Sequence, residues 1–195
     1  MYYRIEVIII GKIFYIADTH FGHKNCIAFD NRPFFDTKDM EGKMIENWNS
    51  VVAEDDDVYI LGDMFWNYKW ENANALVCQL NGTIHNIVGN HDDRKIFPDN
   101  REYEEIEDNG RHIVLCHYPI VFYKNMTRAN WYHLYGHVHA AWDHNMIESW
   151  AKQVEALYQV EWKGYNVGCM LPYMNYTPRT LDEIIAGTRA MRGVK

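Results

Sequence analysis

Two β-branched apolar runs open the chain, residues 5–10 and 13–17, separated by Gly11-Lys12. Their pattern predicts an antiparallel hairpin with the glycine in its turn. Residues 21–36 are punctuated by Gly22, Asn25, Asn31 and Pro33 and read as loop. Asp36 or Thr37 can cap a helix over 38–53, in which Met40, Met44, Ile45, Trp48, Val51 and Val52 share one face. The acidic run 54–57 ends that helix. A short buried strand is expected over 58–61, an aromatic loop over 65–70, a second helix over 73–80 and a third strand over 83–88. Segments 101–107 and 111–116 flank Asp108-Asn109-Gly110, a strong hairpin signal. Residues 131–135 form a short apolar run, and 146–158 has helical spacing through Ile147, Trp150, Val154 and Leu157. A last core strand is expected over 165–171 and a short helix or strand over 181–186. The basic tail after Gly187 is expected to be mobile.

One pattern recurs along these elements. Five apolar runs, in order, end in residues able to bind a metal: Asp18 and His20, Asp63, Asn90 and His91, His117, and His137 and His139. In α/β proteins ligands bind outside the carboxyl ends of strands. In an extended segment, residues two apart face the same way, so the imidazoles of Gly136-His137-Val138-His139 can reach one cluster. Apart from His91, the set contains two aspartates, one asparagine and four histidines. Oxygen and imidazole donors without thiolate suit manganese, iron or zinc, with nickel a further choice, better than a structural zinc knot. There are too many donors for one tetrahedral ion. They fit two ions about 3.5–4 Å apart that share a bridging carboxylate.

Composition narrows the partners. A chain of 195 residues suits one domain, here 1–195, with residues 142–163 forming either a helical lid or an outer layer. The formal net charge of −8 disfavours long nucleic acid, although a metal site can reverse the field locally. The four cysteines are widely spaced and lack a C-x-x-C pair, as expected of reduced thiols in the cytoplasm. No apolar run approaches the ~20 residues needed to cross a bilayer, so a soluble protein without a membrane partner is expected. The oligomeric state is left open.

The blocks Asp18-x-His20, Gly62-Asp63, Gly89-Asn90-His91-Asp92, Cys116-His117 and Gly136-His137-x-His139 resemble the calcineurin-like metallophosphoesterases in residue type, order and spacing. The resemblance runs from about residue 13 to 139, and weakly on to Asn166-Val167-Gly168. The longer opening, Asp18 to Asn25 with Arg32-Pro33-Phe34 after it, is similar to a small bacterial and phage branch of that superfamily. The resemblance implies an α/β (α+β) fold, a four-layer sandwich of two mixed β-sheets flanked by helices. It implies that Asp18, His20 and His139 hold one divalent ion, that Asn90, His117 and His137 hold the other, and that Asp63 bridges them. Manganese is the first choice of metal. It further implies hydrolysis of phosphate mono- or diesters by a metal-bridging hydroxide, with His91 assisting the leaving group and Asp92 orienting the His91 ring. Gly62-Asp63 is followed by Met64-Phe65-Trp66-Asn67, and Asp92 follows His91, which departs from the protein phosphatases of the superfamily. A small, nucleotide-like phosphoester is therefore the expected substrate. A nuclease acting on short or single-stranded nucleic acid and a weakly catalytic metal-binding scaffold are the alternatives.

Several residues stay open between two readings. His23 can contact phosphate or pin its loop. Arg32 can clamp phosphate through its forked donors or sit in a surface loop. Trp66, Tyr68 and Trp70 can stack on a base or simply pack. His85, His112, His133 and His144 lack motif context and read as structural.

Overall fold

The computed structural model describes residues 11–96 and 101–193. Seven strands and five helices follow one another among them: β1 (Ile13–Ile16), α1 (Lys24–Phe29), α2 (Thr37–Val51), β2 (Asp57–Leu61), α3 (Trp70–Val77), β3 (Thr83–Ile87), β4 (Tyr103–Asp108), β5 (Arg111–Cys116), β6 (Trp131–Tyr135), α4 (Trp142–Tyr158), β7 (Gly164–Asn166) and α5 (Leu181–Arg192). They build two sheets flanked by helices. One has the order β1-β2-β3, and the other β4-β5-β6-β7.

The three described strands of the first sheet run parallel, and Tyr15 of β1 adds an isolated antiparallel bridge to Arg179. These strands are linked through helices, and parallel strands need such crossovers. The second is mixed: β4 and β5 pair antiparallel, then β5, β6 and β7 run parallel. The β4–β5 turn holds Asn109 at φ 50° and Gly110 at φ 76°. Two successive positive φ values match the right-handed twist of a hairpin, and Asn-Gly supplies them at low cost. The hairpin expected over 5–17 falls partly outside the described residues.

Alternation along β5 and β6 assigns the layers. Ile113, Leu115 and Leu134 join the main core, which also holds residues of the first sheet and Met40, Met44 and Trp48 of α2. Val114, Trp131 and Tyr135 face the other way, onto Ala151, Ile147 and Trp150 of α4 and onto Trp162. Period-two burial of this kind is what a sheet covered on both faces requires. Tyr15 of β1 donates from its hydroxyl to Asp108 Oδ2 of β4, at 3.1 Å, tying the sheets together. They meet again where Ala17 bridges Gly168 in parallel register, just beyond β1 and β7.

Three expectations change. The loop over 21–36 contains the short helix α1. The strand expected over 165–171 shortens to Gly164–Asn166 and turns away after its bridge to β1. The tail after Gly187 is helical through Arg192. Gly187 is not a stop: a Cβ there would lie 2.3 Å from the Tyr173 Cβ, so the glycine lets α5 sit close. Arg192 then anchors the end by donating to both carboxylate oxygens of Glu148 on α4, at 2.7 and 2.8 Å.

Candidate active site

Every block singled out in the sequence follows the carboxyl end of a strand. Asp18 and His20 follow β1, Asp63 follows β2, Asn90 and His91 follow β3, His117 follows β5, and His137 and His139 follow β6. Five of these residues hold left-handed backbone: Asp18, His20, Asp63, His137 and His139, with φ between 45 and 71°. Such a conformation costs a non-glycine residue roughly 1–2 kcal/mol. Bonds between the loops hold it in place. The amide of Asp18 donates to Gly62 O and that of His20 to Asp63 O, both at 3.0 Å, and that of Gly136 to His117 O at 2.9 Å. Gly89 allows the closest approach, since a Cβ there would stand 2.2 Å from Asp63 Oδ1.

The side chains form two donor groups around one carboxylate. Asp18, His20 and His139 offer ligand atoms within 4.8 Å of one another. His20 Nε2 lies 3.3 Å from His139 Nε2, and His139 Nε2 lies 3.7 Å from Asp18 Oδ1. In the second group, Asn90 Oδ1 is 3.0 Å from His117 Nε2 and 2.9 Å from His137 Nδ1. Asp63 Oδ2 stands between the groups, 3.8 Å from His20 Nε2 and 3.5 Å from His117 Nε2.

The protonation pattern fits cations. The Leu61 carbonyl can only accept, so His117 Nδ1 carries the proton and donates to it at 2.7 Å. In the neutral ring that leaves the Nε2 lone pair facing the oxygens of Asn90 and Asp63. His139 Nδ1 likewise donates to Asp30, at 2.9 Å to Oδ1, leaving its Nε2 for the cluster. Lone pairs that converge without protons between them are what a divalent ion satisfies. Burial, aided by the charges of His139, Arg32, His23 and His91, takes His20 down to about 2 and keeps it a neutral ligand. Burial also pushes the Asp18 carboxyl up to about 6 against the opposing pull of His139 and His117. A neighbouring cation reverses that penalty.

Residues 11–165 match the family described as calcineurin-like phosphoesterase. The chain belongs to this family. Its members are metal-dependent hydrolases of phosphoester bonds. Over 175 residues the chain is 34% identical to the uncharacterized protein MJ1445 of Methanocaldococcus jannaschii, covering 89% of each chain. It is also 31% identical over 84 residues to the Gene 66 protein of Mycobacterium phage L5, covering 42% of this chain and 40% of that one. Among solved structures it is similar to AQ665 of Aquifex aeolicus, a protein of unknown function, with a TM-score of 0.66, 25% identity and coverage of 90% of this chain and 98% of that one.

The remaining residues of this calcineurin-like site divide between cleft and support. His91 is exposed at the cleft, and its backbone amide donates to Asp63 Oδ1 at 2.8 Å. Asp92 serves the backbone: Oδ2 accepts from the amides of Asp63 and Gly89 and Oδ1 from that of Met64, all at 2.9 Å. Among the described residues no hydrogen bond joins it to the His91 ring it was expected to orient. Arg32 is neither a phosphate clamp nor a surface residue. It is 4% exposed and donates to the carbonyls of Asp18 and Thr19 and to the Asp30 carboxylate. A guanidinium so engaged fixes the first ligand loop from beneath and has no face toward substrate. His23 lines the cleft and stacks on Trp66 with ring centroids 3.9 Å apart. Tyr68 turns behind the cleft, where its hydroxyl donates to Glu41 at 2.6 Å, and Trp70 starts α3.

Asp30 was missed from sequence, and Asn166 was given no role there. Asp30 joins His139 to Arg32, and its own carboxyl is drawn down, against the effect of burial, by those two partners. Asn166 donates to the His139 carbonyl at 2.8 Å and accepts from the Gly168 amide at 2.9 Å. Asp30 lies outside every ligand block, and nothing in its neighbourhood marks it. Asn166 was legible only as a weak extension of the family pattern.

Proposed function

We propose that the protein hydrolyses phosphate mono- or diesters with two divalent ions, manganese foremost. One would be held by Asp18, His20 and His139, the other by Asn90, His117 and His137, with Asp63 shared. The observation that carries this reading is the position of Asp63 Oδ2, within 3.8 Å of a histidine from each group. When bound, such a pair polarises phosphoryl oxygens and lowers the pKa of a coordinated water.

The chain's own residues supply the rest. Asn90 brings a neutral oxygen, which limits the negative charge an anionic ester must approach. His91 sits at the mouth, its backbone tied to Asp63, and is the group to donate a proton to the leaving alkoxide. Asp92 holds the Asp63, Met64 and Gly89 amides so that the β2 and β3 loops keep a fixed relation. Asp30 fixes the tautomer and ring angle of His139. The described cysteines are all free, which supports a reducing, cytoplasmic setting.

Hydrolysis of bis-p-nitrophenyl phosphate and p-nitrophenyl phosphate by protein stripped of metal and reloaded with manganese tests the proposal. Turnover that needs the metal and is lost in Asp63→Asn is expected. Turnover unaffected by chelation, or unchanged in the variant, would sink it. Faster cleavage of single-stranded oligonucleotides than of small diesters would move the assignment to a nuclease.

A further inference from the structure

The cleft over the two donor groups has a volume of about 470 Å³ and an aromatic side. Rings run along it in sequence. Phe29 lies 5.8 Å from His139 and 5.5 Å from His23, His23 lies flat on Trp66 at an interplanar angle of 4°, and Trp66 is 4.7 Å from His91. The wall therefore starts beside one end of the metal cluster and ends beside the proposed proton donor. Hydrolysis of a small diester requires none of it.

Its exposure is uneven. His23 is 8% exposed and its Nδ1 is buried without a hydrogen-bond partner among the described residues. That is a cost accepted to keep the ring stacked at this place. Phe29, by contrast, is 57% exposed, a large apolar ring at the mouth of a polar site. The ring in front rests edge-on against His23 and leaves most of its surface open to the cleft. The remaining lining consists of imidazoles, the small apolar residues Val138 and Ala141, and the carboxylates of Asp30 and Asp143. It contains no lysine or arginine among the described residues, so a second phosphate would meet carboxylates rather than cations.

We propose that Phe29, backed by the His23–Trp66 stack, selects phosphoesters that carry one phosphate and a flat unsaturated ring, in the first instance a nucleobase. The proposal rests on the phosphoesterase reading above and names its substrate class. A flat ring gains dispersion and quadrupole contacts against aromatic faces whatever its substituents, so stacking recognises the class rather than a particular base.

Calorimetric titration of the full chain loaded with manganese tests it, using adenosine 5′-monophosphate, phenyl phosphate and ribose 5-phosphate. Adenosine 5′-monophosphate is expected to bind about tenfold tighter than ribose 5-phosphate, the gain of one stacked base. Phe29→Ala should bring that ratio close to one, and Phe29→Tyr should keep it. Equal binding of the two ligands by the wild type, or a ratio untouched by Phe29→Ala, overturns the inference. Phenyl phosphate identifies the ring: binding as tight as the nucleotide assigns the wall to simple aryl esters, and weaker binding assigns it to nucleobases. Turnover of methyl p-nitrophenyl phosphate, which has no ring besides its leaving group, is measured in parallel. Its absence alongside a persisting binding ratio removes the hydrolase reading and leaves the ring selection standing.

Discussion

Asp30 sets the tautomer and angle with which His139 would meet a metal. Its carboxylate accepts a hydrogen bond from His139 Nδ1 and is itself held by Arg32, so the imidazole has one tautomer and one angle. Removing a partner of this kind from a metal-binding histidine typically weakens metal affinity about 10–100-fold. Asp30→Asn is therefore expected to weaken manganese binding by that factor in a direct titration. Affinity equal to wild type would show that His139 is oriented by its packing alone. Gly89 makes the opposite point, that the site depends on a missing atom. Gly89→Ala places a methyl group 2.2 Å from Asp63 Oδ1, so Asp63 or its loop must move. Loss of most metal-dependent turnover is expected, together with a lower melting temperature. The candidate ligands were legible in the sequence because each block follows an apolar run, and in three of the five blocks a glycine stands directly before a ligand: Asp63, Asn90 and His137. Asp30, Arg32 and Asp92 were missed or misassigned for one physical reason: their work depends on which backbone amides, carbonyls and side chains the loops bring near, and spacing along the chain does not encode that.

Among the elements, α5 and β6 carry the clearest consequences. The capping box of Thr180 and Glu183 starts α5, and Arg192 secures its last turn to Glu148 of α4 with a paired, mostly buried contact. A charge-assisted pair of this geometry contributes about 1.5–3 kcal/mol. Arg192→Ala should lower unfolding free energy by that amount in urea titrations, and a cycle with Glu148→Gln should recover most of it as coupling. No coupling would mean that α5 is held by its apolar face alone. Strand β6 buries His133 completely, with Nδ1 donating to the Val114 carbonyl and Nε2 accepting from the Ile120 amide, both at 2.9 Å. Burial takes this imidazole from 6.5 down to about 4, against the pull of the backbone carbonyls. Between those values the unfolded chain binds a proton there and the folded chain does not, so stability falls as pH falls from 6.5 toward 4. The loss from this residue is about 3 kcal/mol. His133→Gln, which keeps a donor and an acceptor, should show a shallower decline over that window than the wild type. An identical slope would place the acid sensitivity elsewhere. The elements were legible where periodicity was strong, as in α2, β5 and β6. α1 hid among loop-type residues, and the second half of α5 hid behind Gly187, whose close contact with Tyr173 belongs to the tertiary structure.

At the scale of the molecule, both sheets deliver their carboxyl ends to one place, and no residue of the two donor groups lies within a strand. The first sheet supplies Asp18, His20, Asp63 and Asn90, and the second supplies His117, His137 and His139. The order of these blocks made the convergence readable from sequence, and the family resemblance they carry implied the sandwich. Which helix covers which face was not readable, because α4 and α5 are amphipathic in ways several packings would satisfy. The convergence couples metal binding to the stability of the whole domain. The ligand loops hold strained backbone and oxygens that face one another across the junction of the sheets, so a bound cation relieves repulsion that only the folded chain contains. Anything that binds the folded form alone stabilises it by RT ln(1 + [L]/Kd), about 2.7 kcal/mol for one site at one hundred times Kd. For a domain of this size each kcal/mol corresponds to about 2–4 °C in melting temperature. Manganese added to chelator-stripped protein should therefore raise the melting temperature by about 5–10 °C for one occupied site, and further for two. Asp63→Asn, which keeps the shape of the shared residue and removes its charge, should abolish most of that rise. A rise of equal size in the variant would mean that the ions bind independently of Asp63, and the shared-carboxylate arrangement would have to be given up. A rise in the wild type that saturates in two steps, collapsing to one small step in the variant, is the signature expected of two ions held across the junction of the sheets.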